Sequence, residues 1–167
     1  MSNSHVLAQL REGAAHAASF APIRAILILL ALISFAGVPY VVLTPLFAAE
    51  VLGGGPHTLG LLTGAPGVGA VCGALWLASR KSVVGLGRTL VVAGSMLGLG
   101  LVGYALSHWL WLSMALLFAV GAGMMVSLGA SNTIIQTLVD EDKRGRVMGF
   151  YAMAFFGMSP FGSLAAG

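Results

Sequence analysis

The sequence predicts an all-α membrane protein with five transmembrane helices, and three observations predict it. The chain is 58% hydrophobic and only 8% charged, whereas charged residues make up about a quarter of an ordinary soluble domain. Five apolar stretches, at 23–49, 59–79, 89–106, 109–139 and 147–167, approach or exceed the roughly 20 residues that a helix needs to cross the hydrocarbon core. All eight Lys and Arg residues fall in every second gap around those stretches. Arg11 and Arg24 lie at the entry to the first; Arg80, Lys81 and Arg88 lie between the second and third; Lys143, Arg144 and Arg146 lie between the fourth and fifth. Segments 50–58 and 107–108 carry none. By the positive-inside rule the basic segments, and with them the N-terminus, face the cytoplasm.

Residues 1–22 read as a cytoplasmic lead-in, and 23–167 as one five-helix transmembrane bundle. Within the lead-in, Val6, Leu7 and Leu10 followed by Arg11 and Glu12 fit either a short amphipathic segment at the inner surface or an unstructured terminus. The first twenty residues lack the basic start, compact apolar core and small-residue cleavage site of a secretory signal. The first span is therefore expected to serve as its own insertion signal. It exceeds the crossing length, as does the fourth, so tilt or projection beyond the bilayer is expected of both. Pro39 and Pro45 in the first span, Pro66 in the second and Pro160 in the fifth each remove a backbone donor and favour kinks.

Between the first two spans, Gly53, Gly54 and Gly55 precede Pro56 and His57. No Gly-Lys-Ser/Thr follows, so this is a turn and not a phosphate loop. The second and third spans carry the spacing Gly-x-x-x-Gly at Gly60 and Gly64, Gly69 and Gly73, and Gly94 and Gly98. In lipid, small residues four apart let helix backbones approach closely, so these six are expected at helix contacts. Cys72 is the only cysteine; it forms no internal disulfide and reads as a packing residue. Trp76, Trp109 and Trp111 lie near predicted span ends and read as interfacial anchors. Met124 and Met125 read as adaptable packing.

Several function classes drop out on this evidence. The net charge of +3 is spent on loops flanking apolar runs and does not form the clustered patch that nucleic-acid binding needs. No nucleophile, base and acid combination and no metal-ligand cluster occurs at a recognisable spacing, so an enzyme is disfavoured and neither metal nor cofactor is expected. No filter sequence or repeated pore charge suggests a channel.

Three segments resemble the C-terminal half of a major facilitator superfamily transporter, in the bacterial branch that includes siderophore and macrolide exporters. LREG at 10–13, PIR at 22–24 and the Pro39-Tyr40 pair resemble the entry from the central cytoplasmic loop into the seventh helix. GALWLASR at 73–80, running to GLGR at 85–88, resembles the basic loop between helices eight and nine. GASNT at 129–133, Gln136-Thr137, RGRVMGFY at 144–151 and GMSP at 157–160 resemble helices ten and eleven with their connection. Two residues depart from the pattern: Ser79 stands where the family often has a carboxylate, and Asp140 where a proline is common.

The resemblance implies export of a small molecule from the cytoplasm by alternating access, with lipid as the surround and a small-molecule solute as the partner. In that family two six-helix halves face each other across the substrate path. Five helices supply one incomplete wall, so the sequence is expected to be a fragment, a truncated product or a half that needs the missing half of the transporter. A helix-packing partner of another membrane protein, itself without transport, is the alternative. None of the five acidic residues is mid-span, so coupling either resides in the other half or is not by protons. His108 lies on a connection, where exposure is expected.

Candidate cavity residues are the polar groups inside spans. Asn132 and Gln136 are four apart on one helix face, with Ser131 and Thr133 beside them; Tyr40 and Thr44 form a second such pair. Each pair is suited either to a solute or to a neighbouring helix. Arg80, Arg88, Asp140, Arg144 and Arg146 are candidates for charge contacts between loops that latch a closed state, the alternative being that they set topology and meet anionic lipid.

Overall fold

A computed structural model describes residues 21–157 apart from Lys81 and Asp140, and within the helices it leaves undescribed the side chains of Val38, Asp142, Lys143, Arg146 and 154–156. Five α-helices follow in order: α1 (Ala21–Leu46), α2 (Pro56–Ala78), α3 (Leu86–Leu106), α4 (Leu110–Leu138) and α5 (Glu141–Gly157), with a π-helical turn (Phe47–Val51) extending α1. No strand occurs among the described residues. The helix starts are set by local chemistry. Pro56 occupies the first position of α2, where a missing N–H costs nothing and the fixed φ suits a helix. Gly85 adopts φ +82° just before α3, a left-handed conformation that glycine enters without penalty.

Four helical segments are long and apolar enough to cross a membrane: Ala21–Val51, Pro56–Ala78, Leu86–Leu106 and Leu110–Leu138. Their bounds fall within three residues of the apolar stretches in the sequence. The fifth differs. Its helix begins at Glu141, six residues before the apolar stretch at 147, because the charged segment 141–146 is itself helical. The remainder of that stretch, 158–167 with Pro160, and the lead-in 1–20 lie outside the described residues.

Packing is organised around α4. Both α2 and α3 pack along it, α1 pairs chiefly with α5, and α2 and α3 make no close backbone approach to each other. The buried residues form three clusters stacked along the helices. At the end bearing the basic loops, Ile23, Ile26 and Leu30 of α1 meet Leu86, Leu90, Ala130, Ile135 and Val147. The middle holds Ile33, Leu97 and Val120. At the opposite end Ala48, Leu62, Tyr104 and Leu117 come together, with the Phe47 and Tyr104 rings 4.4 Å apart. This order places successive helices antiparallel, as alternating membrane crossings require.

Glycine makes the α2–α4 contact possible. A Cβ at Gly69 would overlap the Phe118 carbonyl, one at Gly121 would overlap the Pro66 carbonyl, and one at Gly73 would lie 2.7 Å from the Ala122 carbonyl oxygen. On the other side of α4, a Cβ at Gly123 would lie 2.7 Å from the Ala93 carbonyl oxygen. The spacing Gly-x-x-x-Gly alone does not pick out these positions. At Gly60, Gly64 and Gly98 a Cβ would meet nothing within 4 Å among the described residues, and at Gly94 it would meet only the Leu29 side chain. Gly121 and Gly123 carry contacts without belonging to any of the three motifs.

Short polar links finish the bundle. The Ser113 hydroxyl donates to Ser107 Oγ (2.9 Å), and Ser107 donates to the Trp109 carbonyl (3.2 Å). These bonds tie the tight α3–α4 turn to the first turn of α4. Tyr151 of α5 donates to the Leu128 carbonyl of α4 (3.1 Å).

Alanine at Gly121 or Gly69 is expected to lower stability by about 1–3 kcal/mol, the usual cost of overpacking a tight contact. The same change at Gly60 gains up to about 1 kcal/mol of helix propensity. Heat unfolding in mild detergent, followed by tryptophan fluorescence, distinguishes the two classes; equal midpoints for all three variants would contradict the packing described.

Candidate functional site

Polar side chains that remain exposed on a membrane-crossing helix are the strongest local signal in the chain, because lipid offers them no hydrogen bonds. They concentrate on α4. Gln136 and Thr133 are exposed and Asn132 is half-buried; all three share one face with exposed Thr137. Gln136 Nε2 donates to Asn132 Oδ1 at 2.6 Å. The hydroxyls turn inward: Thr133 donates to the Gly129 carbonyl (3.0 Å) and Thr137 to the Thr133 carbonyl (2.7 Å). The two amides satisfy each other only in part, since each carries two donor hydrogens and an acceptor oxygen.

Tyr40 and Thr44 occupy a different layer. Tyr40 packs against the middle and far clusters, while Thr44 is 3% exposed and donates to the Tyr40 carbonyl at 2.6 Å. The Tyr104 hydroxyl lies against that of Thr44 without a hydrogen bond of ordinary geometry. The structure thus does not bring the two polar pairs together. Asn132 and Gln136 flank Ala130 and Ile135 of the cluster nearest the basic loops, several helical turns from Tyr40.

The loop between α2 and α3 is built around Arg80. Its guanidinium donates to the Thr89 hydroxyl and to the Val84 carbonyl (3.2 Å), and it stands 5.3 Å from the centre of the Trp76 ring. Ser79 donates to the Trp76 carbonyl (2.7 Å), and the Val84 N–H donates to Ser82 Oγ (3.1 Å). Arg80 therefore ties the end of α2 to the start of α3. Arg88, one turn into α3, is exposed and has no bonded partner among the described residues. Arg144 is half-buried, with a buried Nε that has no partner among them. No ion pair joins the loops among the described residues; Asp140 and the side chain of Arg146 lie outside those described. Glu50, Glu141 and His108 are exposed.

Two features are seen only in the structure: the burial of a serine pair and an open groove. Ser127 and Ser131 are fully buried, and their hydroxyls have no hydrogen-bond partner among the described residues. They are four apart on α4, but on the face turned into the bundle. Their spacing was the available signal, masked by the more polar Asn132 and Gln136. Cys72 is exposed, in a groove between α2 and α3 of about 550 Å³ whose rim carries Arg80 and Arg88.

Across residues 1–167 the chain matches the family described as transmembrane secretion effector, of the major facilitator type. No curated protein and no solved structure matches it.

Lysine at position 80 keeps the charge but cannot supply the guanidinium fork that holds Thr89 and Val84 together. The loss is expected to be about 1 kcal/mol for this partly exposed group, or roughly fivefold in the local opening equilibrium. Amide hydrogen exchange at 83–86 should quicken by that factor in Arg80→Lys and stay unchanged in Arg88→Lys; parallel behaviour would show that Arg80 does not brace the loop.

Proposed function

Given that the chain belongs to the transmembrane secretion effector family of major facilitator transporters, we propose that it forms part of a secondary active exporter of small molecules. Its α4 face at Asn132 and Gln136 supplies one wall of the substrate path. That face carries the reading, because exposed amides on a membrane-crossing helix need water, a solute or a second polar wall in place of lipid. The side opposite Asn132 and Gln136 is open among the described residues, so a complete path takes its second wall from further transporter helices. In alternating access the two walls rock about a central site. A bundle whose helices meet through glycine contacts along α4 suits such movement as a rigid half.

The basic loops orient the chain, with Arg80, Arg88 and Arg144 on the cytoplasmic side. Arg80 acts as a brace inside its own loop. Arg88 and Arg144 are available for contacts with an opposing loop, as is exposed Arg24 at the start of α1; an exposed pair contributes about 0–1 kcal/mol and a latch depends on several pairs together. Glu50 and Glu141, the acidic side chains described, are exposed and supply no buried carboxyl for a coupling proton; in this reading the energising ion binds elsewhere on the path or is not a proton.

Two outcomes are expected. In a Cys72→Ser background, a membrane-impermeant maleimide should label Ser82→Cys only in inside-out vesicles and Gly55→Cys only in intact cells; the reverse pattern would invert the topology. In the native host, Gln136→Leu should raise cell accumulation of the exported solute as far as deletion of the chain does, a change on the order of tenfold if the amide contacts the solute in transit. A panel of small amphiphiles whose accumulation is the same in wild type, deletion and Gln136→Leu would remove the transport reading.

A further inference from the structure

The gap between α2 and α3 is a property of the packing, since both helices rest on opposite flanks of α4 and make no close approach to each other. Its floor is Ala122 and Val126 of α4, and its walls are Cys72 and Trp76 on one side and Val92 and Met96 on the other. Outside those walls the surface is strongly apolar. Val71 and Leu75 of α2 are 59% and 66% exposed, and Val91 and Leu99 of α3 are 68% and 73% exposed. Side chains of that kind on both rims mark a surface turned to hydrocarbon.

One end of the groove is charged. Arg80 and Arg88 line it, Arg80 held in place by Thr89 and Val84 and Arg88 exposed with no bonded partner among the described residues. An apolar slot ending in two guanidinium groups at the membrane surface matches the shape and charge of one molecule type. We propose that the groove binds an anionic phospholipid of the leaflet on the basic side, with its phosphate at Arg88 and Arg80 and an acyl chain lying over Ala122 and Val126.

The physical case has two parts. A void between helices forfeits dispersion contacts on every wall atom, and an acyl chain restores them. A phosphate beside guanidinium groups accepts paired charge-assisted hydrogen bonds, which a zwitterionic lipid satisfies less well because its own cation competes. The lipid would then bridge α2 and α3, whose ends the Arg80 loop also ties together. This inference stands on the membrane placement of the helices and not on the transport reading.

Cys72, the only cysteine of the chain, gives direct access to the groove. The full chain labelled there with bimane is placed in nanodiscs containing phosphatidylglycerol or phosphatidylcholine brominated in the mid-acyl region. Half-maximal quenching is expected at about fivefold lower mole fraction for phosphatidylglycerol, the scale of one basic residue acting on anionic lipid. Arg88→Gln should bring that preference to within about twofold, whereas Arg24→Gln, an equal charge loss on α1, should leave it intact. Native mass spectrometry of the unlabelled chain should show one retained phosphatidylglycerol, lost in Val92→Trp and not displaced by inorganic phosphate. Equal quenching by both lipids would overturn the proposal, as would equal loss in Arg88→Gln and Arg24→Gln. Displacement by phosphate would replace the lipid with a free anion, and absence of quenching by either lipid would mean that another protein segment or a solute covers the groove.

Discussion

Where Gly69 meets the Phe118 carbonyl and Gly121 meets the Pro66 carbonyl, α2 and α4 touch backbone to backbone with no side chain between them. In water such a contact would gain little, because apolar side chains do more by leaving solvent. In lipid that driving force is absent between helices, and close van der Waals approach with weak Cα–H···O contacts takes its place. The reciprocity matters: each helix supplies glycines and each receives a carbonyl. Depth and rotation of α2 against α4 are therefore fixed together. With Gly123 set against Ala93 on the other flank, α4 becomes the element from which α2 and α3 take their positions.

Several features follow from that arrangement. Since α2 and α3 occupy separate flanks of α4, a gap separates them, and the Arg80 brace is needed to join their ends. The α2 contacts with α4 run from the cluster of Leu62 and Leu117 to the Leu77 side chain at Gly129. Most of the α2 span and of the α4 span is not buried among the described residues, and the apolar remainder needs lipid or other helices to cover it. Packing, polar exposure and charge thus describe a unit with an apolar outer surface, a packed core along α4 and an exposed polar face at Asn132 and Gln136.

Much of this was legible in the sequence because the bilayer imposes coarse rules. Length and apolarity gave the first four spans to within a few residues, and the tryptophans near their ends are exposed, Trp109 at 71% and Trp76 at 50%. The fifth helix started early because the charged run 141–146 is helix-compatible, and apolarity alone cannot see a helix that extends into the interface. Glycine spacing does not separate contact from surface: Gly69 and Gly73 and Gly60 and Gly64 share one spacing, but among the described residues only the first two meet a neighbouring backbone. Which face of a helix is packed depends on the partner helix, and that information is not local. The same limit hid Ser127 and Ser131, whose burial comes from helices distant in sequence, and it left Tyr40 and Thr44 looking equivalent to Asn132 and Gln136.

The central claim is that the Asn132–Gln136 face meets water inside a membrane protein. Its most direct test is the reaction rate of single cysteines at 133 and 136 with a small charged thiosulfonate, in membranes and without Cys72, set against cysteines at Val91 and Leu99 on the lipid-turned side of α3. The account predicts reaction at 133 and 136 faster by about two orders of magnitude, since the thiolate forms in water and not in hydrocarbon. Rates at 133 and 136 as slow as those at 91 and 99 would place that face in lipid or against protein and contradict it.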